Sequence, residues 1–274
     1  MNQTVLITGA TGAIGSATAR SLARQGCQLI LLARNQEKLE EVKGQIRQET
    51  PAAEVKTLVV DFAELHAVKN AALNIQKDHP ELHAVIHNAA IFKSSRTLTS
   101  DGLETMFTVN HLAPFMLTKV LFETIQQTRG SRILTVTAPS TTQINFQDPM
   151  GEQRFNALNA FGATKMANLL FAFKLGRAGL TSHALHPGLV RSELLREANP
   201  FLQIVTFLAS GSPEKVAQAF SEVTLQPKYA QSNGQFWHLT KPIQAPAYAR
   251  DPRNQDELWD LSLKWINTLE ARRR

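Results

Sequence analysis

Short apolar runs alternate along the chain with longer stretches in which apolar residues recur every three or four positions. The short runs are rich in Val, Ile and Leu and nearly continuous in hydrophobicity, as is typical of strands buried on both faces of a sheet. They predict strands over residues 4–8, 28–33, 55–61, 84–87, 132–137, 182–186 and 235–239. The longer stretches predict helices over residues 13–25, 36–49, 65–78, 100–128, 154–176, 213–224 and 255–269.

This repeated alternation of strand and helix predicts a parallel sheet with helices on both faces. Right-handed crossovers then make a doubly wound sheet the natural topology. We therefore expect one α/β domain of Rossmann type over residues 1–274, with a seven-stranded parallel sheet. Its cofactor half would cover about residues 1–130, and its catalytic and substrate part about residues 131–274.

Two long connections interrupt this pattern, at residues 138–153 and 189–212. Each follows a predicted strand, so both emerge at the carboxyl edge of the sheet, where such folds bind ligands. The second connection is rich in Leu, Phe, Ile and Val, which is typical of a lid over an apolar ligand or of a lid helix packed on the core.

Charge and composition narrow the possible functions. The formal charge is +6 and the isoelectric point about 9.6, but the basic residues are spread along the chain, so nucleic acid is not an expected partner. We expect Cys27, the one cysteine, to be a small buried hydrophobe in a cytoplasmic protein. We also expect no secretion signal, no membrane span and, because the histidines lack ligand spacing, no metal.

A glycine-rich turn joins the first predicted strand to the first predicted helix. It reads Thr8-Gly9-Ala10-Thr11-Gly12-Ala13-Ile14-Gly15. Gly9 would allow the tight turn, Gly12 would let the backbone approach a phosphate, and Gly15 would let the helix pack close to the sheet. The free N–H groups of the helix N-terminus would then bind a pyrophosphate.

The end of the second predicted strand indicates which nicotinamide cofactor is bound. A site for NAD generally has an acidic residue here, but Ala33 occupies the place and Arg34-Asn35 follows. An arginine can pair with a 2′-phosphate through two hydrogen bonds. The sequence therefore favours NADP(H).

Further motifs give the chain a resemblance to the short-chain dehydrogenase/reductase family, within its retinol-dehydrogenase-like and WW-domain-oxidoreductase-like branch. They include the glycine turn, the segment Val109-Asn110-His111-Leu112, the segment Phe161–Lys165 and the turn His186-Pro187-Gly188. The resemblance implies further cofactor contacts from Asp61, Phe62, Asn88, Ala89, Ala90, Pro187, Gly188, Val190 and Ser192. In the commonest family pattern the second glycine would fall on Ala13; here it is Gly12.

The resemblance also implies a catalytic set of Asn, Ser, Tyr and Lys. Asn110 and Lys165 match the asparagine and the lysine, whereas Phe161 stands at the tyrosine position and Ala138 at the serine position. Ser140 lies two residues further on and could be a displaced substitute for the serine. Each replacement deletes one hydroxyl, which fits an engineered inactive form, a natural pseudo-enzyme or a member adapted to another reaction.

By this resemblance we expect an NADP(H)-dependent oxidoreductase that acts on a small hydrophobic carbonyl or alcohol as a homodimer or homotetramer. The missing phenol and serine hydroxyl predict an impaired redox step in this sequence. One alternative is a non-catalytic NADP(H)-binding protein that acts as a sensor. Another is a non-redox enzyme, such as a cyclase or isomerase, on the same fold.

Overall fold

The computed structural model describes residues 3–190 and 211–272. Its strands are β1 (Thr4–Thr8), β2 (Gln28–Ala33), β3 (Val55–Val59), β4 (Ala84–His87), β5 (Arg132–Val136), β6 (Ser182–His186), β7 (Gln235–His238) and β8 (Lys241–Ile243). They form one sheet in the order β3-β2-β1-β4-β5-β6-β7-β8. All neighbours pair in parallel except β7 and β8, which pair antiparallel.

The described helices follow the alternation that the sequence predicts. They are α1 (Ala13–Arg24), α2 (Gln36–Glu49), α3 (Leu65–Asp78), α4 (Thr105–Phe107), α5 (Ala113–Gln127), α6 (Ala157–Arg177), α7 (Pro213–Leu225), α8 (Pro227–Ala230), α9 (Ala247–Arg250) and α10 (Pro252–Arg272). A π-helical stretch, Thr108–Leu112, joins α4 to α5.

The doubly wound α/β fold is confirmed, and the number of strands is the point of difference. Four predicted strands coincide with β1, β2, β4 and β6, and the other three end one or two residues early. The seven-strand prediction missed β8, a three-residue edge strand that contains Pro242. Proline lacks the N–H that a central strand needs, and a segment of three residues that contains one gives no recognisable strand pattern.

The alternation of side chains along the strands divides the core between the two faces of the sheet. On β1, Leu6 belongs to the apolar cluster that includes residues of α3, α5, α6 and α10, whereas Val5 and Ile7 belong to the cluster that includes residues of α1, α2 and α7. All three side chains are fully buried. Because successive residues of a strand point to opposite faces, a strand covered on both sides must be apolar throughout.

Candidate cofactor and catalytic site

The carboxyl ends of the parallel strands gather most of the predicted site residues at one edge of the sheet. The strand order reverses between β1 and β4, which places the glycine turn after β1 beside the segment after β4. Ligands of doubly wound sheets bind at such a reversal. The segments after β5 and β6 lie along the same edge.

Two glycines of the turn are required by the protein's own backbone. Gly9 has φ +63°, and a Cβ there would lie 2.8 Å from the Cα of Ala89. A Cβ on Gly15 would lie 2.3 Å from the carbonyl oxygen of Gly9. These distances leave no room for a side chain, so both glycines are needed for the turn to close.

Gly12 differs from its two neighbours because nothing in the fold requires a glycine there. It is the exposed N-cap of α1 with φ −76°, and the nearest atom to a Cβ would lie at 3.5 Å, an ordinary contact. The absence of a side chain therefore leaves the backbone N–H groups of the helix N-terminus open toward solvent. Thr11, Ala13 and Ile14 flank this opening and are half-buried.

Thr8 and Asn88 hold the turn in shape. The fully buried Thr8 hydroxyl accepts hydrogen bonds from the N–H groups of Asn88 and Ala89, each at 3.0 Å. The Asn88 side-chain amide donates to the carbonyl oxygens of Thr8 at 3.2 Å and Gly9 at 3.1 Å. Both polar groups are thus used within the protein, while half-buried Ala89 and Ala90 continue along the edge.

Beyond β2, Arg34 and Asn35 have different roles. The Asn35 side chain caps α2 by accepting a hydrogen bond from the Lys38 N–H at 2.8 Å. Arg34 is exposed, and its guanidinium makes no hydrogen bond or ion pair within residues 3–190 and 211–272. Its charge is therefore available to a ligand at the carboxyl end of β2.

The residues after β3 are similarly divided between solvent and core. Asp61 is exposed, and its carboxylate accepts a hydrogen bond from the Ala63 N–H at 2.9 Å. Phe62 packs into the core beneath it and is 5% exposed. Only Asp61 of this pair presents a polar group to the carboxyl edge.

Asn110 lies in the π-helical stretch and is fully buried. Its side chain accepts from the Ile91 N–H at 2.8 Å and donates to the Ile91 carbonyl at 3.0 Å. It also donates to the Thr164 hydroxyl at 3.1 Å, which in turn donates to the carbonyl of Phe161 at 2.8 Å. Such π-helical turns are frequent at functional sites, and this one ties the segment after β4 to α6.

Lys165 and Phe161 occupy adjacent turns of α6. The Nζ atom of Lys165 lies 5.1 Å from the centroid of the Phe161 ring, a cation–π distance. The Lys165 side chain is 7% exposed, and burial lowers its pKa from 10.5 to about 8. Phe161 packs edge-on against Phe92, with ring centroids 5.6 Å apart. The pair thus supplies a desolvated cation next to an apolar ring.

Two further residues stand where the resemblance expects a serine, after β5. Ala138 is half-buried at the carboxyl edge. The hydroxyl of Ser140 donates to the Gly162 carbonyl at 2.8 Å and accepts from the Thr142 N–H at 3.2 Å. Ser140 therefore anchors its loop to α6, next to Phe161, rather than presenting a free hydroxyl.

His87, the last residue of β4, lies in the core. Its Nε2 forms a hydrogen bond with the Thr118 hydroxyl at 2.8 Å, and complete burial lowers its pKa to about 3. The ring is therefore neutral near pH 7. Within the described residues no group of three or more His, Cys, Asp or Glu side chains is arranged to bind a metal ion.

The turn after β6 completes this edge. Pro187, Gly188 and Val190 are half-buried, and Gly188 has φ +77°. Val190 forms a parallel bridge with Gly211, so the two ends of the intervening segment are joined. Ser192, a predicted cofactor contact, lies outside the described residues, as does most of the predicted apolar lid.

One cleft of about 560 Å³ lies away from these residues, between the end of α6 and the start of β7. Phe173, Arg177, Asn233 and Arg250 are among its lining residues. Arg177 is already paired with Asp256, at 2.9 Å. None of the predicted site residues lines this cleft, so we place the candidate site at the carboxyl edge.

Comparison with known proteins agrees with this arrangement. The family model of the short chain dehydrogenases matches residues 3–203, so the chain belongs to that family. Mouse retinol dehydrogenase 14 is 32% identical, with 98% of this chain and 87% of that protein covered. Human dehydrogenase/reductase SDR family member 13 is 33% identical, with 95% of this chain and 72% of that protein covered. Members of the family bind a nicotinamide cofactor and act on small molecules.

Solved structures show the same fold. A crystal structure of an uncharacterized protein from Mycobacterium paratuberculosis is 26% identical, with a TM-score of 0.73 over 97% of this chain and 93% of that one. A short chain dehydrogenase from Shigella flexneri, complexed with NADP, is 22% identical, with a TM-score of 0.70 over 87% and 98% of the two chains. In the described part of the present chain, no helix combines the length and the apolar character that crossing a membrane requires.

Sequence reasoning did not select Thr164, whose hydroxyl joins Asn110 to the backbone of Phe161. Its position three residues after Phe161 puts both on one face of α6, which is a usable signal. Reasoning from sequence also missed His238, which stacks on His186. No local signal pairs these two histidines, since their contact depends on the register between β6 and β7.

Proposed function

We propose that the chain is an NADP(H)-dependent oxidoreductase for a hydrophobic carbonyl/alcohol pair whose hydride-transfer step is slow in this sequence. The observation that carries the proposal is the pairing of Lys165 with Phe161, in which the Nζ atom lies 5.1 Å from a ring that has no proton to donate. This contact supports the proposal, in which Lys165 would be the lysine of the catalytic set and the acid beside it would be missing.

The described residues fit an NADP(H) cofactor at two points. Gly12 leaves the N-terminus of α1 open where a pyrophosphate would need N–H donors. Arg34 provides an exposed guanidinium without a partner in the described chain, suited to a 2′-phosphate. Asp61, Ala89, Ala90 and Gly188 would border the rest of the cofactor. When bound, NADPH would supply a hydride to the substrate carbonyl.

The chain's own residues would have to neutralise the charge that develops on the substrate oxygen. Lys165 contributes a positive charge whose effect is strengthened by burial. Phe161 cannot donate a proton, and the Ser140 hydroxyl is engaged by Gly162. A positioned general acid typically contributes about 10²- to 10⁴-fold in rate, which is the deficit expected here.

The engagement of Ser140 also supports a second candidate, an NADP(H)-binding protein without turnover. If neither the Ser140 hydroxyl nor a phenol reaches the substrate oxygen, the cofactor can bind without any hydride transfer. This candidate shares the glycine turn and Arg34 with the first. The two differ only in whether replacing the missing hydroxyls produces activity.

The test is NADPH oxidation with a panel of hydrophobic aldehydes and ketones, comparing the chain with the double variant Phe161→Tyr/Ala138→Ser. We expect the double variant to be faster by about 10²- to 10⁴-fold. Phe155→Tyr is a matched control, because it adds a phenol to a neighbouring ring of the same cluster and should not raise the rate. No gain in the double variant, with NADPH binding measured in both forms, would favour the binding protein.

A further inference from the structure

Two histidines meet at the carboxyl edge, beside the turn that would hold the nicotinamide. His186 ends β6 and His238 ends β7, and the register of these strands makes them direct neighbours on one face. Their rings stack with centroids 5.0 Å apart and an interplanar angle of 30°. Neither residue belongs to the catalytic set of the proposed reaction.

His186 lies between two segments of the candidate site. The Gly188 N–H donates to its Nδ1 at 3.4 Å. The backbone of Thr137, the residue before Ala138, is a further polar neighbour of the ring and favours its protonated form. With Nδ1 accepting, we assign the proton of the neutral ring to Nε2. A neutral imidazole therefore accepts a hydrogen bond from the turn after β6.

The segment after β7 packs closely against this arrangement. A Cβ on Gly188 would lie 3.4 Å from Nε2 of His238, so the turn passes close against the second ring. The next residue after His238, Leu239, has φ +57°, and its N–H donates to the His186 carbonyl at 3.1 Å. The left-handed region is unfavourable for a leucine, so the backbone is held there by its contacts.

We propose that His186 is a positioning residue of the cofactor site, whose neutral ring holds the Pro187–Gly188 turn and whose protonation releases that turn and weakens NADPH binding. The proposal rests on the proposed function, since it concerns the same cofactor. Protonation at Nδ1 would place two donors, the ring N–H and the Gly188 N–H, face to face. The Thr137 backbone favours the protonated ring, so the unfavourable effect of the proton falls on the turn after β6.

Within the described chain, the surroundings of His186 on balance oppose its protonation. Burial, and then the proximity of His238, lowers the pKa of His186 below its ordinary value of 6.5, although the Thr137 backbone acts in the opposite direction. Lys241 of β8 lies opposite His238 in the antiparallel register. Phe236 is an uncharged neighbour of the ring. The neutral ring is therefore kept near pH 7, and the release falls on the acidic side.

The first experiment measures the dissociation constant of NADPH between pH 5 and pH 8. For the unmodified chain we expect affinity to fall by up to about tenfold per pH unit once His186 is titrated. His186→Asn places an acceptor near the Nδ1 position that cannot be protonated. We expect this variant to bind more tightly than His186→Leu at pH 8 and to lose the part of the fall that His186 causes.

His238→Asn tests the same coupling in the opposite direction. Removing the neighbouring imidazole removes a source of like charge, so His186 should take up its proton at a higher pH and the fall should begin earlier. The 2′-phosphate of NADPH also titrates near pH 6, but that contribution is common to all variants. An unchanged pH profile in both His186→Asn and His238→Asn would overturn the proposal.

A second measurement needs no cofactor. Nuclear magnetic resonance can follow the His186 ring and the Gly188 amide of the free protein through the same pH range, and we expect the two to titrate together. If they titrate independently, the proposed coupling is wrong even where NADPH binds. If NADPH binds at no pH while they titrate together, the proposed function fails and the coupling of ring and turn stands.

Discussion

The turn after β1 and the face of α6 are both parts of one candidate site. They differ in how well each is suited to the role proposed for it. In the turn, Gly9 and Gly15 are fixed by backbone contacts under 3 Å, and Gly12 leaves an opening. On α6, Lys165 is buried next to Phe161, whose ring carries no hydroxyl. Binding a cofactor depends on backbone shape, whereas proton transfer depends on one atom. A substitution can therefore abolish proton transfer and leave cofactor binding intact.

The largest effect is expected where the backbone itself is obstructed. Gly15→Ala would place a Cβ 2.3 Å from the Gly9 carbonyl oxygen, so the turn or α1 must move. We expect a loss of about 1–3 kcal/mol or more in the free energy of unfolding, because the obstacle is backbone and cannot change rotamer. Urea denaturation measures the loss, and NADPH titration should show that binding is abolished.

Gly12→Ala is the matched control in the same turn. Its Cβ would meet the nearest atom at 3.5 Å and its φ of −76° suits any residue, so stability should change by less than about 1 kcal/mol. NADPH affinity should nevertheless fall, because the methyl group occupies the opening. Unchanged affinity in this variant would show that the phosphate does not bind at Gly12.

The buried cation on α6 should affect stability through pH. The pKa of Lys165 is lowered in the folded protein to about 8 from 10.5, so the unfolded chain binds the proton more tightly. Stability should therefore rise as pH increases from about 8 to about 10.5, by up to about 3 kcal/mol. In Lys165→Met this rise should disappear from urea unfolding curves recorded across that range.

An equal rise in Lys165→Met and in the unmodified chain would assign the pH dependence to other groups. Lys174→Met is a suitable control from the same helix. Its amine lies 2.7 Å from the Asp256 carboxylate, and its side chain is partly exposed. It should leave the rise between pH 8 and pH 10.5 in place.

A substitution at Arg34 is expected to have a smaller effect, confined to cofactor binding. Arg34→Ala should weaken NADPH binding by about 10- to 100-fold, because hydrogen bonds to a charged group contribute about 1.5–3 kcal/mol. NADH lacks the 2′-phosphate, so its affinity should stay the same. Equal weakening of both cofactors would indicate that Arg34 contacts a part that they share.

The smallest effect on stability is expected from restoring the phenol. Phe161 is half-buried, and Phe161→Tyr adds a single oxygen to its ring, so the free energy of unfolding should change by less than about 1 kcal/mol. An unchanged stability, together with the rate gain expected of the double variant, would show that the hydroxyl acts on the reaction and not on folding. A large loss of stability would mean that the structure has no room for a hydroxyl on this ring of α6.

The sequence predicted the parts of the fold that depend on local pattern. The apolar runs of β1, β2, β4 and β6 matched the observed strands at both ends, because strands buried on two faces leave a continuous signal. The predicted helix over residues 100–128 was only partly right, since helix begins at Thr105 and passes through the π-helical stretch. Its apolar spacing is nearly that of a regular helix, and the extra residue per turn leaves no separate signal.

The sequence by itself determined the class of the protein and the glycine turn, because these reside in local pattern and residue type. Tertiary structure alone decided that Ser140 is held by Gly162, that Lys165 is desolvated against Phe161, and that His186 stacks on His238. The His186–His238 contact joins residues far apart in the chain, and the others depend on how the β5 loop and α6 pack. Burial and hydrogen-bond geometry arise only when elements pack, so no pattern along the chain could encode them separately.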